Sequence, residues 1–505
     1  MQQWLDCWCF CFEPEQCSFE FELEHRGVHF LLSKIANAFC APCRSAKIES
    51  SKVRDSSLSR KEKFFQIPAV ETPQDNKKGG KLLPKSFNHQ FEKLIEKSNI
   101  EQAVETPAKQ KLGKKARRTA RQILQNKEEI QKQFREKLIN GEPLARRKHR
   151  ATLIQDGSSK KVRLILKPDL MFEQMLHHAV VQVMQPIFMR GMYEFSCGSI
   201  PGRGPHYGKK YIEKFIRKRK ADIKYVLKFD IKKFYPSIDT EILKQKLRRI
   251  IHDEKMMFVL EQIIDSNIAV FPDGHEESLG VPIGYYTSQW FANFYLQDLD
   301  HYIKQDLKAA GLFHYVDDYV IFGRNKKELH KMLEAIRIKL AEIGLTIKEN
   351  HQVFRFDYID KKDGKRKGRP IDFMGFKFYR DKTTLRRSIM LKATRKARKM
   401  SKKKKLTWFD SCQLLSYMGY FLHTDTYGVF QKYIKPYVNI KNCKQRIRTR
   451  QLKINQKEKI KCLHSEKQKA LKNQSDSTKQ APQMEFTSES TVQLKLFQIT
   501  TETNK

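Results

Sequence analysis

Short alternations of apolar and polar residues, separated by stretches with helix-like periodicity, follow one another from about residue 115 to residue 380. Residues 225–231 have the β-branched and aromatic composition of a strand. Two similar runs flank an acidic pair in FHYVDDYVIFG at 313–323, which predicts a hairpin with both acids at its tip. Strong helix formers between 115 and 138 stop before Asn140-Gly141, which predicts a helix end.

The two ends of the chain differ from this central part. Residues 1–44 are acidic and hold six of the ten cysteines, so we expect a separate appendage. Residues 45–114 are rich in Ser, Lys, Gln, Glu and Pro, which predicts a largely disordered linker with at most one helix near 86–97. The polar stretch 463–505 is expected to be a disordered tail.

The net charge of the chain indicates what kind of partner the protein binds. The 505 residues include 99 Lys and Arg against 57 Asp and Glu, a net charge of +42. Such an excess favours a polyanion, above all nucleic acid, as the standing partner. The sequence has no run of about eighteen apolar residues, so it predicts no membrane-spanning helix. The start lacks the basic region of a secretory signal. We therefore expect a cytoplasmic protein without a membrane partner.

The cysteines allow one metal hypothesis. Cys40 and Cys43 have the Cys-x-x-Cys spacing of zinc ligands. Reduced structural thiols, or a translated upstream region that never packs, explain the same residues equally simply. The zinc site is the less favoured of these interpretations.

Three carboxylates are the best candidates for chemistry. Asp230 ends one expected strand, and Asp317 and Asp318 lie at the hairpin tip. No basic residue is adjacent to the acidic pair, so a divalent cation is the natural neutralising partner, Mg²⁺ or else Mn²⁺. If the Asp230 strand lies beside the hairpin, the carboxylates can hold two metal ions. Because neighbouring strand residues face opposite ways, Asp317 ranks above Asp318 as a ligand.

The motifs around these acids resemble those of a known family. FDIKKFYPSID, GVPIGYYTSQWFANFYLQDLD and YVDD, in this order, resemble the palm of reverse transcriptases, in the bacterial and phage branch that includes diversity-generating retroelement, retron, group II intron-like and defence-associated enzymes. The resemblance covers about residues 145–440. It implies an α+β right-hand polymerase, with fingers and an antiparallel palm at 115–380 and a basic helical thumb at 381–462.

The resemblance also implies roles for single residues. Asp230, the carbonyl of Ile231, Asp317 and Asp318 match the metal ligands. Tyr235 falls at the aromatic gate that excludes a 2′-hydroxyl, which favours deoxynucleotides over ribonucleotides. The other nucleotide-binding candidates are Lys161, Arg163, Pro282, Ile283, Gly284, Gln289 and Lys348. A tyrosine that merely packs after a strand, and solvated basic residues, are the alternatives.

Nucleic-acid contacts are expected downstream and in one glycine-rich loop. Arg203 and Lys209 lie in a segment with glycines at 198, 202 and 204. Gly375 permits a tight turn in a primer-grip hairpin at 371–379. Residues 376–405 hold fourteen Lys or Arg against one Asp, as a phosphate-binding thumb requires. Its candidate contacts are Arg386, Arg387, Lys392 and Arg395.

The implied function is RNA-directed DNA polymerisation on a DNA or RNA primer with dNTPs, in a retroelement or antiviral defence role and with a possible associated non-coding RNA. A template-independent or protein-primed DNA polymerase, and a non-catalytic RNA-binding protein of the maturase kind, remain open. In the tail, Gln493, Leu494, Leu496 and Phe497 resemble the peptide with which polymerases dock on the sliding clamp. A segment folded back on the thumb, or a chance match, is the alternative for that motif.

Overall fold

The computed structural model describes residues 86–110, 116–155, 162–456 and 460. None of the helices in this described part has both the length and the hydrophobicity that a bilayer crossing requires. The α-helices are α1 (Gln90–Leu94), α2 (Lys97–Lys109), α3 (Ala116–Gln125), α4 (Lys127–Ile139), α5 (Glu173–Gly191), α6 (Pro205–Lys218), α7 (Phe234–Ser237), α8 (Thr240–Arg248), α9 (Glu254–Asp265), α10 (Ser288–Tyr295), α11 (Gln297–His301), α12 (Lys326–Ala341), α13 (Arg387–Ser401), α14 (Trp408–Leu422), α15 (Tyr427–Tyr433) and α16 (440–456).

The strands are short, and most of them are antiparallel. They are β1 (Lys148–Arg150), β2 (Thr152–Gln155), β3 (Val162–Ile165), β4 (Tyr225–Asp230), β5 (Ile268–Val270), β6 (Glu276–Ser278), β7 (Gly311–Tyr315), β8 (Asp318–Gly323), β9 (Gln352–Arg355), β10 (Tyr358–Ile359), β11 (Arg366–Lys367), β12 (Ile371–Phe373), β13 (Phe376–Phe378) and β14 (Thr383–Leu385). The sheets have the orders β7-β8-β4-β9, β12-β13-β14, β1-β5-β6, β2-β3 and β10-β11. The mixture of helices and antiparallel strands confirms the predicted α+β class.

The chain divides into two compact units. One comprises residues 1–185 and 240–288, and the other comprises 186–239 and 289–505. In the described part of the first unit, β2 and β3 form a hairpin, and β1 pairs in parallel with β5, which pairs with β6. A small apolar cluster of Leu166, Ala269, Leu279 and Tyr285 forms part of its core.

The second unit is built on the four-stranded sheet. β4 lies between β8 and β9, and its residues Val226 and Leu227 are both fully buried, so side chains cover both faces of the strand. One hydrophobic core joins this sheet, the β12-β13-β14 sheet and helices α13 and α14. Helix α14 has an apolar face, since Leu414, Met418 and Phe421 are buried. The core therefore extends across residue 380, where we expect the palm to end and the thumb to begin; that boundary stays a prediction.

The structure differs from the sequence expectation before residue 115. Residues 90–109 form α1 and α2, although they fall in the segment expected to be linker. Phe91, Leu94, Ile100 and Val104 are buried at helix-like spacing, and this apolar stripe was hidden by the Lys- and Glu-rich composition around it. The helix expected over 115–138 is confirmed as two helices, α3 and α4, divided at Asn126.

Candidate active site

Asp230 is the last residue of the central strand β4. The strand pairs with β8 so that Asp230 lies directly opposite Asp318, and the Lys348 backbone N–H donates to the Asp230 carbonyl over 2.9 Å. The Lys348 ammonium also donates to the Asp230 carboxylate. The expected position at a strand end is therefore confirmed, and Lys348, a candidate nucleotide contact, lies in direct contact with the first acid.

Asp317 and Asp318 lie where β7 turns into β8. The two strands form the predicted hairpin, with Tyr315 opposite Asp318 and a turn at Val316 and Asp317. The Ile231 N–H donates to the Asp317 carbonyl over 3.1 Å, which fixes the turn beside the end of β4. All three carboxylates consequently belong to one edge of one sheet.

The turn has an unusual backbone. Val316 has φ +59°, a left-handed conformation that a β-branched residue adopts only under constraint. Gly198 lies directly behind it, and a Cβ on that glycine would come within 2.4 Å of Val316 Cγ2. The Asn293 side-chain amide donates to the Gly198 carbonyl over 3.0 Å and so holds this backing in place. Gly198 therefore allows the close approach of its backbone to the acidic turn.

The two acids of the turn are hard to ionise. Burial raises the pKa of Asp317 to about 6, and the nearby Asp230 carboxylate adds to the effect. Burial also raises the pKa of Asp318 to about 6, although the Lys228 ammonium opposes it. Clustered acids with raised pKa values are typical of functional sites and of sites that take a cation.

Lys228 is the residue that sequence reasoning missed here. Its ammonium lies 3.3 Å from Asp318 Oδ2 and donates to the Asp372 carbonyl over 2.6 Å. We expected no base beside the acidic pair, and that expectation is wrong because the lysine comes from the neighbouring strand. Since Lys228 and Asp230 are two residues apart in β4, they share a face of the sheet, and this spacing could have revealed the contact.

The donor set fits a hard divalent cation. Carboxylate oxygens are the ligands that Mg²⁺ and Mn²⁺ prefer, and Asp318 Oδ1 is buried without a hydrogen-bond partner. Within the described ranges, no three His, Cys, Asp or Glu side chains are already arranged as a metal cage. The lysine contacts explain this, because the ammonium groups of Lys348 and Lys228 neutralise Asp230 and Asp318.

Tyr235 follows β4 in the short helix α7. Lys233, which precedes the helix, has φ +44°, so the chain turns sharply between Asp230 and the tyrosine. The Tyr235 ring is half-buried and lies 5.4 Å from the Phe234 ring, centroid to centroid. This partial burial is compatible with contact to a ligand, and the gate role stays a prediction.

In the first unit, the Pro282-Ile283-Gly284 segment forms a tight turn. The Leu166 N–H donates to the Ile283 carbonyl over 3.1 Å, and Gly284 has φ +119°. A Cβ on Gly284 would lie 2.3 Å from the Leu166 carbonyl oxygen, so only glycine fits there. Arg163 is exposed on β3, whereas Lys161 lies outside the described residues.

Three other candidates in the second unit contact the protein itself. Gln289 is half-buried in α10. The Arg203 guanidinium donates to the Tyr193 carbonyl over 2.9 Å, and the Lys209 ammonium pairs with Glu213 at 2.7 Å. A role of these residues in phosphate binding stays a prediction.

The expected primer-grip hairpin is confirmed as a hairpin. β12 and β13 are joined by a turn in which Gly375 has φ +87°. Arg386 precedes α13 and donates to the Asp372 carboxylate over 2.6 Å, while Arg387, Lys392 and Arg395 are exposed along that helix. The thumb candidates thus lie on the solvent side of a helix whose other side packs into the core.

Two hypotheses concern parts of the chain that are not described. Cys40 and Cys43, the possible zinc ligands, lie outside the described residues. The tail motif Gln493, Leu494, Leu496 and Phe497 lies outside them as well.

Known proteins resemble this chain in the same region. Residues 154–378 match the family described as "Reverse transcriptase (RNA-dependent DNA polymerase)". A stretch of 109 residues is 25% identical to nuclear intron maturase 1, mitochondrial, of Arabidopsis thaliana, covering 21% of this chain and only 15% of that protein.

Telomerase structures also match. Apo telomerase of Candida tropicalis, truncated from its C-terminal domain, has a TM-score of 0.37 at 16% identity, covering 47% of this chain and 55% of that one. Telomerase of Candida albicans in complex with a TWJ fragment of telomeric RNA has a TM-score of 0.37 at 14% identity, covering 59% and 56%. The chain thus spans little more than half the length of these structures. Over residues 154–378, the predicted resemblance to the reverse transcriptases, and with it the polymerase fold class, is confirmed.

Proposed function

We propose that this protein is an RNA-directed DNA polymerase of the bacterial and phage branch, with a role in a retroelement or in antiviral defence. The observation that carries the proposal is the meeting of Asp230, Asp317 and Asp318 at one sheet edge, where the pKa values of the last two are raised to about 6. A reverse transcriptase match over the same residues supports the choice of reaction.

The residues divide the work between them. Asp230, Asp317 and the Ile231 carbonyl hold two Mg²⁺, or Mn²⁺, with Asp318 as a weaker ligand because Lys228 already binds it. When bound, such ions activate the primer 3′-hydroxyl and stabilise the leaving pyrophosphate. The Lys348 ammonium pairs with the Asp230 carboxylate. It would be available for the triphosphate if that carboxylate held a cation instead.

Substrate choice is assigned to Tyr235 and to the first unit. The ring of Tyr235 excludes a 2′-hydroxyl, and Arg163 with the Pro282-Ile283-Gly284 turn contacts the incoming nucleotide, joined by Lys161 and Gln289. Gly284 permits that turn, because its φ of +119° suits glycine alone. We expect Tyr235→Ala to raise the ratio of rNTP to dNTP incorporation at least tenfold, and Tyr235→Phe to leave it unchanged. An unchanged ratio in the alanine variant leaves Tyr235 as a packing residue.

The template and primer bind the basic helices. Arg387, Lys392 and Arg395 are exposed, and phosphate contacts of this kind fix a nucleic acid without reading its sequence. A non-coding RNA partner, a cytoplasmic location and clamp docking through the tail belong to the same proposal. A peptide of residues 488–502 should bind purified clamp, and replacing Leu496 and Phe497 by alanine should abolish binding.

The decisive experiment is primer extension. Full-length protein is incubated with an RNA template, a DNA primer, dNTPs and Mg²⁺, alongside Asp230→Asn and the control Asp306→Asn, which changes an exposed aspartate away from the sheet edge. We expect extension by the wild type and the control and a loss of several orders of magnitude in Asp230→Asn. Equal activity in all three proteins contradicts the assignment.

A second candidate is an RNA-binding protein of the maturase kind without polymerase activity. The maturase match and the exposed basic helix α16 favour it. RNA binding that survives Asp230→Asn, together with no dNTP incorporation by the wild type, would select this candidate. Incorporation that ignores the template would instead select a template-independent or protein-primed polymerase.

A further inference from the structure

Three polar side chains are buried beneath the acidic turn. Asp300, from α11, is 1% exposed, and His314 of β7 and Tyr319 of β8 are completely buried. The Tyr319 hydroxyl donates to Asp300 Oδ1 over 3.1 Å, and His314 Nε2 lies 2.9 Å from Asp300 Oδ2. The latter pair is an electrostatic contact rather than an aligned hydrogen bond. The proposed mechanism uses none of these groups.

Aromatic stacking holds the cluster rigidly. The His314 ring lies flat against Tyr319, with centroids 4.7 Å apart and planes at 9°. On its other side, Tyr319 stacks on Phe229 with centroids 4.8 Å apart. A carboxylate buried in a sheet core costs stability that apolar residues would not. The cluster therefore calls for an explanation other than packing.

The cluster reaches the acidic turn through one bond. His314 Nδ1 lies 3.3 Å from the Val316 carbonyl, and since a carbonyl can only accept, Nδ1 carries the proton. At the opposite edge of the ring, Nε2 lies 2.9 Å from Asp300 Oδ2. Asp300 and Tyr319 thus fix the ring in the orientation that holds the turn.

The turn needs such support because Val316 is strained at φ +59°. Gly198 blocks movement on one side, and the Ile231 N–H holds the Asp317 carbonyl. His314 holds the Val316 carbonyl, which lies between the Val316 side chain and the Asp317 carbonyl along the chain. The direction of the Asp317 carboxylate follows from the backbone that these contacts define.

We propose that His314, oriented by Asp300 and Tyr319, is a positioning residue that sets the Asp317 carboxylate for metal binding. The proposal rests on the proposed function, in which Asp317 is a metal ligand. Groups that orient a metal ligand commonly change metal affinity when removed, by about 10- to 100-fold.

Two substitutions separate positioning from packing. An asparagine amide at 314 matches Nδ1 of histidine and can keep the bond to Val316, whereas a glutamine amide matches Nε2 and keeps only the contact with Asp300. The control is Tyr295→Phe, which removes another fully buried tyrosine hydroxyl, one that donates to the Ile343 carbonyl over 2.7 Å. Mn²⁺ affinity of the full-length protein is measured by electron paramagnetic resonance, with Asp317→Asn marking the site, and thermal midpoints monitor folding.

We expect His314→Gln to weaken Mn²⁺ binding about tenfold, and His314→Asn and Tyr295→Phe to bind as the wild type does. The Mg²⁺ concentration for half-maximal extension should rise in His314→Gln and should stay at the wild-type value in His314→Asn and Tyr295→Phe. Equal Mn²⁺ affinity in the glutamine and asparagine variants overturns the proposal. If the glutamine variant does not fold, His314→Phe replaces it, because an aromatic ring can keep the stack on Tyr319 while the bond to the Val316 carbonyl is removed. Failure of the wild type to extend primers would refute the polymerase, but the Mn²⁺ comparison would still decide the positioning role.

Discussion

Two hairpin turns in the second unit follow the same plan with different residues. Val316 and Asp317 join β7 to β8, and Met374 and Gly375 join β12 to β13. The first residue has a positive φ in each turn, +59° for Val316 and +50° for Met374. Two-residue turns of this kind match the twist of paired strands. Only the second turn has the glycine that such a geometry favours.

Both turns also rest on a glycine. A Cβ on Gly198 would lie 2.4 Å from Val316 Cγ2, and a Cβ on Gly208 would lie 2.5 Å from Met374 Cε. The glycine-rich segment at 198–208 therefore backs both hairpins. The difference lies in the strain: β-branched Val316 has the positive φ that a relaxed hairpin gives to Asn or Gly, while Asp317, in the position of Gly375, does not have a positive φ. Strain of this kind persists where surrounding contacts over-determine the backbone, and here it lies in the turn to which the proposed function assigns the chemistry.

The largest expected effect separates the two acids of the first turn. Asp317→Asn should reduce the rate of primer extension at least about a thousandfold, because it would remove a ligand of the proposed metal site. Asp318→Asn should cost less, about 10- to 100-fold, because Lys228 already binds that carboxylate. Single-turnover extension rates at saturating Mg²⁺ provide the measurement. An Asp318 variant that is slower than the Asp317 variant would reverse this ranking.

The two supporting glycines should differ in how well they tolerate a methyl group. In Gly198→Ala the new Cβ meets the Val316 backbone nitrogen at 2.7 Å, and the backbone cannot yield. In Gly208→Ala it meets the flexible end of Met374, which can move. We expect losses in unfolding free energy of about 2–3 kcal/mol and about 1 kcal/mol respectively. Urea denaturation measures both, and equal losses would show that the two turns are supported alike.

Acidity distinguishes the turns further, because only the first has ionisable groups. Burial raises the pKa of Asp317 and Asp318 from an ordinary value of 3.8 to about 6. Such groups favour the folded state fully below pH 3.8, and this contribution is lost as the pH rises through about 6. Metal-free protein should therefore gain roughly 1–2 kcal/mol of stability between pH 7.5 and pH 5.

Denaturation in the presence of a chelator tests this dependence. In Asp317→Asn the gain should shrink, since the amide does not titrate, and the variant should be more stable than the wild type at pH 7.5. A wild type that loses stability on acidification from pH 7.5 to pH 5 would show that the burial of these acids is offset by other contacts.

The two turns also show which features of the fold and of the site can be predicted from the sequence. The Gly375 hairpin follows from local turn chemistry, and the Asp317 hairpin from apolar runs on either side of an acidic pair. Asp230, Asp317 and Asp318 could be assigned together because their motifs occur in a specific order. The two-residue spacing of Lys228 and Asp230 in β4 could also have revealed the lysine beside Asp318. The contacts of His314 with Asp300 and Tyr319 could not be predicted, since they join residues of different elements. Helix α1 falls within the one helix expected near 86–97, but α2 was missed because a thin apolar stripe is hard to see in a highly charged segment.

The smallest expected effect comes from the same substitution made in both turns. Glycine removes the backbone strain at Val316 and at Met374, but it also removes a side chain that packs on Gly198 or Gly208. These opposing terms should leave the unfolding free energy within about 1 kcal/mol of the wild type in both variants. Their activities should nevertheless diverge.

Val316→Gly frees the backbone that directs Asp317. The Mg²⁺ concentration for half-maximal extension should therefore rise several-fold, which corresponds to about 1 kcal/mol of binding free energy. Met374→Gly leaves that backbone intact, and its Mg²⁺ requirement should equal that of the wild type. Extension rates across a Mg²⁺ titration, with both variants at matched stability, decide the point. If the two variants behave alike, the strain at Val316 is a by-product of packing; if only Val316→Gly changes, the strained turn is part of how the site is built.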